Sequence, residues 1–136
     1  MELCPINLIF QRRANFHFRN PILDFDAADG SIIVSTRSDG IDLLSFKVDG
    51  TLSLINERGD KYSRSCLRCI WVESGKLILT ADKNKRVSLC EIIPESKFIK
   101  EVKNWSFSEI ITDLFKYGGD FYAQTISGGI VKIEME

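Results

Sequence analysis

Gly75-Lys76-Leu77-Ile78-Leu79-Thr80-Ala81-Asp82-Lys83-Asn84-Lys85-Arg86-Val87-Ser88-Leu89-Cys90-Glu91 is the stretch whose reading decides the fold. Leu77, Ile78 and Leu79 form an apolar run with no polar interruption, as in a strand covered on both faces. Asp82-Lys83-Asn84-Lys85 then makes a polar turn, and Val87 and Leu89 follow in alternation. A strand, a tight turn and a second, alternating strand make a β-hairpin.

The hairpin recurs. Gly30, Gly75 and Gly119 are each followed by an apolar run: Ile32-Ile33-Val34, Leu77-Ile78-Leu79 and Phe121-Tyr122-Ala123. Before each glycine, at two fixed offsets, stand Ile22 and Phe25, Leu67 and Ile70, and Ile111 and Leu114. The second and third units align from Gly75 and Gly119 without a gap, and the first needs one deletion near Ile41. Each unit reads as strand, glycine turn, strand, tight hairpin, strand, a period near 45 residues that marks a repeat architecture. Fourth strands are weaker: Thr51-Leu52-Ser53-Leu54-Ile55 in the first unit and Lys97-Phe98-Ile99-Lys100 in the second. Residues 106–115 also place Ile110, Ile111, Leu114 and Phe115 at helical spacing, but the repeat alignment assigns them to a strand.

The expectation is one all-β repeat domain over residues 1–136, with units at 21–65, 66–109 and 110–136. Residues 1–20 add N-terminal strands, Ile6 to Phe10 and Asn15-Phe16-His17-Phe18, that serve to close a unit. The third unit stops at its third strand, Ile130 to Glu134.

The pattern resembles the WD-repeat family. The resemblance rests on Asp29-Gly30-Ser31-Ile32-Ile33-Val34-Ser35, on Ser38-Asp39-Gly40-Ile41-Asp42-Leu43, and on the corresponding stretches after Gly75 and in Ser127-Gly128-Gly129-Ile130-Val131-Lys132-Ile133. It implies a partial β-propeller of about three four-stranded blades; a small β-sandwich or barrel is the alternative. Leu44, Cys90 and Glu134 stand where the family has tryptophan, and no glycine precedes His17. In closed WD-type propellers the N-terminal strand often completes the last blade. The resemblance therefore implies an exchange between the strand carrying Phe16 and Phe18 and the strand carrying Ile130 and Ile133.

Bulk chemistry narrows the function. The 136 residues are 44% hydrophobic and 27% charged with a net charge of −1, a globular composition without the basic excess of most nucleic-acid binders. No apolar run approaches the ~18–20 residues of a membrane span, and Met1-Glu2-Leu3-Cys4-Pro5 lacks a signal-peptide pattern. Cys4, Cys66, Cys69 and Cys90 read as thiols of an intracellular protein, cytoplasmic or nuclear.

No nucleophile elbow, phosphate loop or metal-hydrolase signature is present, so no enzyme and no cofactor is expected. His17 reads as a structural hydrogen-bonding residue. Cys66-Leu67-Arg68-Cys69 has zinc-knuckle spacing, but an odd offset in a strand sends the thiols to opposite faces, and Cys4 and Cys90 would have to complete the set. Asn104-Trp105-Ser106 is a formal glycosylation sequon with no secretory signal to give it meaning.

What remains is interaction. Arg12 and Arg13 in one turn, and Lys83, Lys85 and Arg86 in another, are the candidate contacts for an acidic or phosphorylated partner or an RNA. Phe16, Phe18, Trp105 and Phe107 could stack on bases but fall where core residues belong. Three blades leave apolar faces without neighbours, and uncovered faces of that kind call for association. The expected partner is a protein, or a second copy of the chain, that completes the propeller; a ribonucleoprotein is the alternative.

Overall fold

A computed structural model describes residues 22–36, 40–46, 51–55 and 66–135. The expected strands around Ile6 to Phe10 and Phe16 to Phe18 lie outside these residues. The described chain forms three antiparallel sheets, none closed on itself. The first is β1 (Ile22–Ala28), β2 (Ser31–Thr36), β3 (Gly40–Phe46) and β4 (Leu52–Leu54), side by side in that order. The second is β5 (Cys66–Glu73), β6 (Leu77–Asp82), β7 (Arg86–Ile92) and β8 (Ile99–Ser106), likewise in order. The third is β9 (Ile111–Tyr117), β10 (Asp120–Thr125) and β11 (Ile130–Ile133), with β10 in the middle. The helical spacing over 106–115 is overridden: pairing of β9 with β10 takes Ile111 onward as a strand.

The turns explain where the repeat was misaligned. Asp29 and Gly30 (φ 48° and 81°) link β1 to β2, and Gly118 and Gly119 (φ 60° and 87°) link β9 to β10. Both are two-residue loops, because Ala28 pairs with Ser31 and Tyr117 with Asp120. Two successive residues at positive φ match the twist of the flanking strands. Between β5 and β6, however, Glu73 pairs with Leu77, so that loop holds three residues. Counted from the pair beside the turn, Ile33 corresponds to Leu79 and Tyr122, not to Ile78. Anchoring on Gly75 is off by one in the second unit, and a one-residue slip exchanges the two faces of a strand. The extra residue lies in the turn 74–76 and not near Ile41: from Ser31 and Leu77 the first two units run in step through Gly40 and Arg86.

With that register the packing is of one sense throughout. Ile33, Ile41 and Leu43 of the first sheet meet Cys66, Cys69, Trp71, Ile78, Cys90, Ile92 and Ile99 of the second in one core. The opposite face of the second sheet, with Leu79, Ala81 and Val87, meets Ile111, Leu114, Phe121, Ala123 and Ile133 of the third in another. The middle sheet is thus covered on both sides, as its unbroken apolar run requires. Full burial of an aliphatic side chain of this size contributes about 1.5–3 kcal/mol. The sheets approach one another at their first two strands: β1 and β2 against β5, β5 and β6 against β9.

Polar contacts fix each junction. Cys69 and Trp71 donate their backbone N–H groups to Asp24 Oδ2 (3.0 Å) and Asp26 Oδ2 (2.8 Å). The Ser74 hydroxyl donates to Ala28 O (2.8 Å) and Trp71 Nε1 to Ser31 O (3.3 Å). At the next junction Arg68 Nε donates to Thr112 O (3.0 Å). Arg68 and Asp24 occupy equivalent positions, opposite Ala81 and Ser35.

Two further expectations are corrected. Gly40 to Leu44 of β3 is buried at every position, Asp42 included, whereas alternation in the third strands implies that one of their faces is less buried. Cys66 and Cys69 share one core instead of opposite faces, because the register of β5 shifts between Cys66 and Arg68 and the bulge takes up the odd residue.

Four substitutions grade this arrangement by their urea midpoints. Ile78→Asp places a charge at a fully buried site and should cost more than about 4 kcal/mol. Leu89, half-buried at the margin of the second core, should cost less on the same change. Asp26→Ala leaves the Trp71 N–H without its acceptor, for about 1–3 kcal/mol. Lys85→Asp should stay within about 0.5 kcal/mol, since the site is exposed and its positive φ of 66° suits aspartate. Equal midpoints for all four would contradict the register.

Candidate interaction surface

Asp82 builds the hairpin between β6 and β7. Its buried carboxylate accepts the N–H groups of Asn84 (2.8 Å) and Arg86 (3.2 Å), curling the chain through 83–85 and holding Lys85 in the left-handed region. The Lys85 carbonyl accepts the Phe107 N–H (2.8 Å), which ties the turn to the end of β8. Of the three basic residues expected here, Lys83 and Lys85 are exposed. Arg86 is not equivalent to them: its Nε lies 3.5 Å from Asp82 Oδ2, and its side chain is about two-thirds buried. The acid that shapes the turn takes up the arginine. Arg12 and Arg13 lie outside the described residues.

Beside this hairpin, Lys103 Nζ sits 5.3 Å from the centre of the Trp105 ring. Trp105 and Phe107 are half-buried and pack on the second core. Glu101 accepts from the Ser88 hydroxyl (3.1 Å) and from Asn104 Nδ2 (2.8 Å), so the sequon asparagine stands in a strand with its amide engaged.

The strand-exchange residues divide in the same way. Phe16 and Phe18 lie outside the described residues. Ile130 is 62% exposed on β11, while Ile133 is buried in the second core opposite Phe121. The outermost strand β11 therefore has one free apolar residue from the expected pair, with Val131 also open.

Sequence reasoning missed a larger feature. The outward face of the third sheet carries Phe115 and Tyr122, directly paired across β9 and β10 with rings stacked at 5.4 Å and an interplanar angle of 17°. Tyr117 and Ile130 flank them, both largely exposed. At the other end of the stack, β1 turns Ile22 and Phe25 away from the second sheet, Phe25 being 63% exposed. The signal was the count of residues in each turn, which fixes which face of each strand points inward.

The described cysteines are buried. Cys66, Cys69 and Cys90 are free thiols in the first core. Burial, and then the Asp24 carboxylate, push the Cys69 thiol far above the ordinary range, so it stays protonated at neutral pH. Among the described residues no group of three or more His, Cys, Asp or Glu side chains is arranged to hold a metal ion. Among the described residues no helix is long and apolar enough to cross a membrane.

The hairpin between β10 and β11 offers a measurable electrostatic contact. The Ser127 hydroxyl donates to Glu109 Oε1 (2.7 Å), and Ser127, then Thr125, hold the Glu109 carboxyl below its ordinary range. A depressed carboxyl stabilises the fold above its unfolded pKa, near 4.3, and loses that contribution as pH falls through the lower folded value. Ser127→Ala should raise the Glu109 pKa, read by carboxyl NMR titration, and reduce the melting temperature slightly at neutral pH but not at strongly acid pH. An unmoved pKa would remove Ser127 as the cause. No family model matches the chain, and no curated protein matches it.

Proposed function

We propose that the chain is a non-catalytic protein-interaction module whose three sheets are blades of a partial WD-type β-propeller, acting as a scaffold within a larger assembly. One observation carries this reading: three antiparallel meanders stack in a single sense, meet at their first strands, and leave apolar side chains open on both end sheets. Sheets that approach mainly at their first strands splay outward, as blades do around an axis. Open aromatic and aliphatic side chains on the end sheets fit a protein that is completed by a partner. The three buried thiols fit a reducing, intracellular compartment.

A second reading, an RNA- or ribonucleoprotein-binding subunit, draws on the exposed Lys83 and Lys85 and on Lys103 over the Trp105 ring. Salt titration against single-stranded and duplex RNA separates the two. Phosphate contacts are strongest at low salt, so the RNA reading expects binding that weakens steeply with salt and drops on Lys83→Ala with Lys85→Ala. The interaction-module reading expects no binding at low salt and no turnover in hydrolase and transferase screens. Reproducible turnover abolished by one polar-to-alanine change would contradict it.

A further inference from the structure

We propose that the outward face of β9 and β10 receives β1 of a second copy of this chain, so that two copies close into a twofold ring of six sheets. The proposal rests on the interaction-module reading and names its partner.

The two internal junctions supply the template. In each, the first two strands of one sheet cover the first strand of the next: β1 and β2 cover β5, and β5 and β6 cover β9. Continuing that rule, β9 and β10 should cover a first strand. Position by position the third sheet is equipped for it. Tyr122 stands where Ile33 and Leu79 stand, and those two are fully buried against the following sheet. Phe115, opposite Tyr122, stands where Ile70 packs on the second core. Tyr117, 74% exposed, stands where Ala28 packs on the first. Asp113 holds the register from which Asp24 and Arg68 reach the next sheet's first strand. Its side chain is half-exposed, and its Oδ1 accepts the Leu114 N–H (2.9 Å) and lies 3.9 Å from Arg68 Nε.

The chain carries the matching surface at its other end. β1 is a first strand whose outward side, with Ile22, Phe25 and Ala27 exposed, has no sheet against it among the described residues. A second copy therefore offers a first strand in the sense that the third sheet lacks. A contact between unlike surfaces either closes by rotation or propagates as a fibre. Approach at the first strands bends the stack around an axis, and six sheets lie within the range over which such rings close. Closure by two copies makes both new junctions equivalent and leaves no end open.

Light scattering on the full 136-residue chain and on two surface variants tests this. The wild type should have twice the 15.5 kDa chain mass. Phe25→Lys and Tyr122→Lys should each fall toward the single-chain mass while keeping the wild-type circular dichroism spectrum, and Tyr117→Lys should repeat the result without touching the stacked pair. An equimolar mixture of Phe25→Lys and Tyr122→Lys should return to the double mass. One junction in such a pair still joins an intact β1 to an intact β9–β10 face. A monomeric wild type, a mass that grows without limit with concentration, or a mixture that stays monomeric would overturn the proposal. None of these outcomes bears on the RNA titration or the turnover screens, so the broader reading stands or falls separately.

Discussion

The free edge of β5 is the constraint on which the rest of this structure depends. β5 is the first strand of the middle sheet, with β6 on one side and, among the described residues, no strand on the other. The N–H groups of Cys69 and Trp71 point to that open side, yet both residues are buried. A buried donor without an acceptor costs about 1–3 kcal/mol. Asp24 and Asp26 remove that cost with carboxylates two residues apart on β1, meeting N–H groups two residues apart on β5. Residues two apart on a strand stand about 6.6–6.8 Å from each other, so the pair of acids fits the pair of donors in one register. A slip by one residue would turn both acids to the other face. Apolar packing holds the first two sheets together, and the two carboxylates fix where.

The same problem has a different solution at the next junction. Arg68, at the position equivalent to Asp24, donates to the carbonyl of Thr112, and a second nitrogen of its guanidinium donates to Leu67 O (2.8 Å). There the amide equivalent to that of Cys69 is satisfied from its own strand, Leu114 N–H donating to Asp113 Oδ1 (2.9 Å), and Arg68 serves a neighbouring carbonyl instead. The chemistry at this position can therefore change sign between units while its role stays the same.

That exchange helps explain what was legible in the sequence. Apolar runs, glycine turns and alternating strands are local signals, and they marked out the three sheets. Facing direction is not local. Gly75 looked like Gly30 and Gly119, but it sits in a three-residue turn, and that one residue decides whether Ile78 or Leu79 points to the first sheet. The bulge at Cys66 and Arg68 hid the shared core of the two cysteines in the same way. Phe115 and Tyr122 gave no sign of an open face, because an apolar residue on a covered face and one on an open end face look alike in the sequence. Arg86 read as available because its pairing with Asp82 depends on the curl of a turn. The basic turn at Arg12 and Arg13 and the strand of Phe16 and Phe18 remain sequence expectations.

The distribution of sulfur has a further consequence. Cys66, Cys69 and Cys90 all line the core between the first and second sheets, and the buried core between the second and third contains none. Among the described cysteines, alkylation therefore senses the seam between the first and second sheets and not the one between the second and third. Separation of the first sheet alone would expose all three sulfurs together, while separation of the third would expose none of them. Proteins open in cooperative pieces as well as all at once. In this chain the kinetics of alkylation, set beside hydrogen exchange over both cores, would resolve two seams that a melting curve merges into one transition.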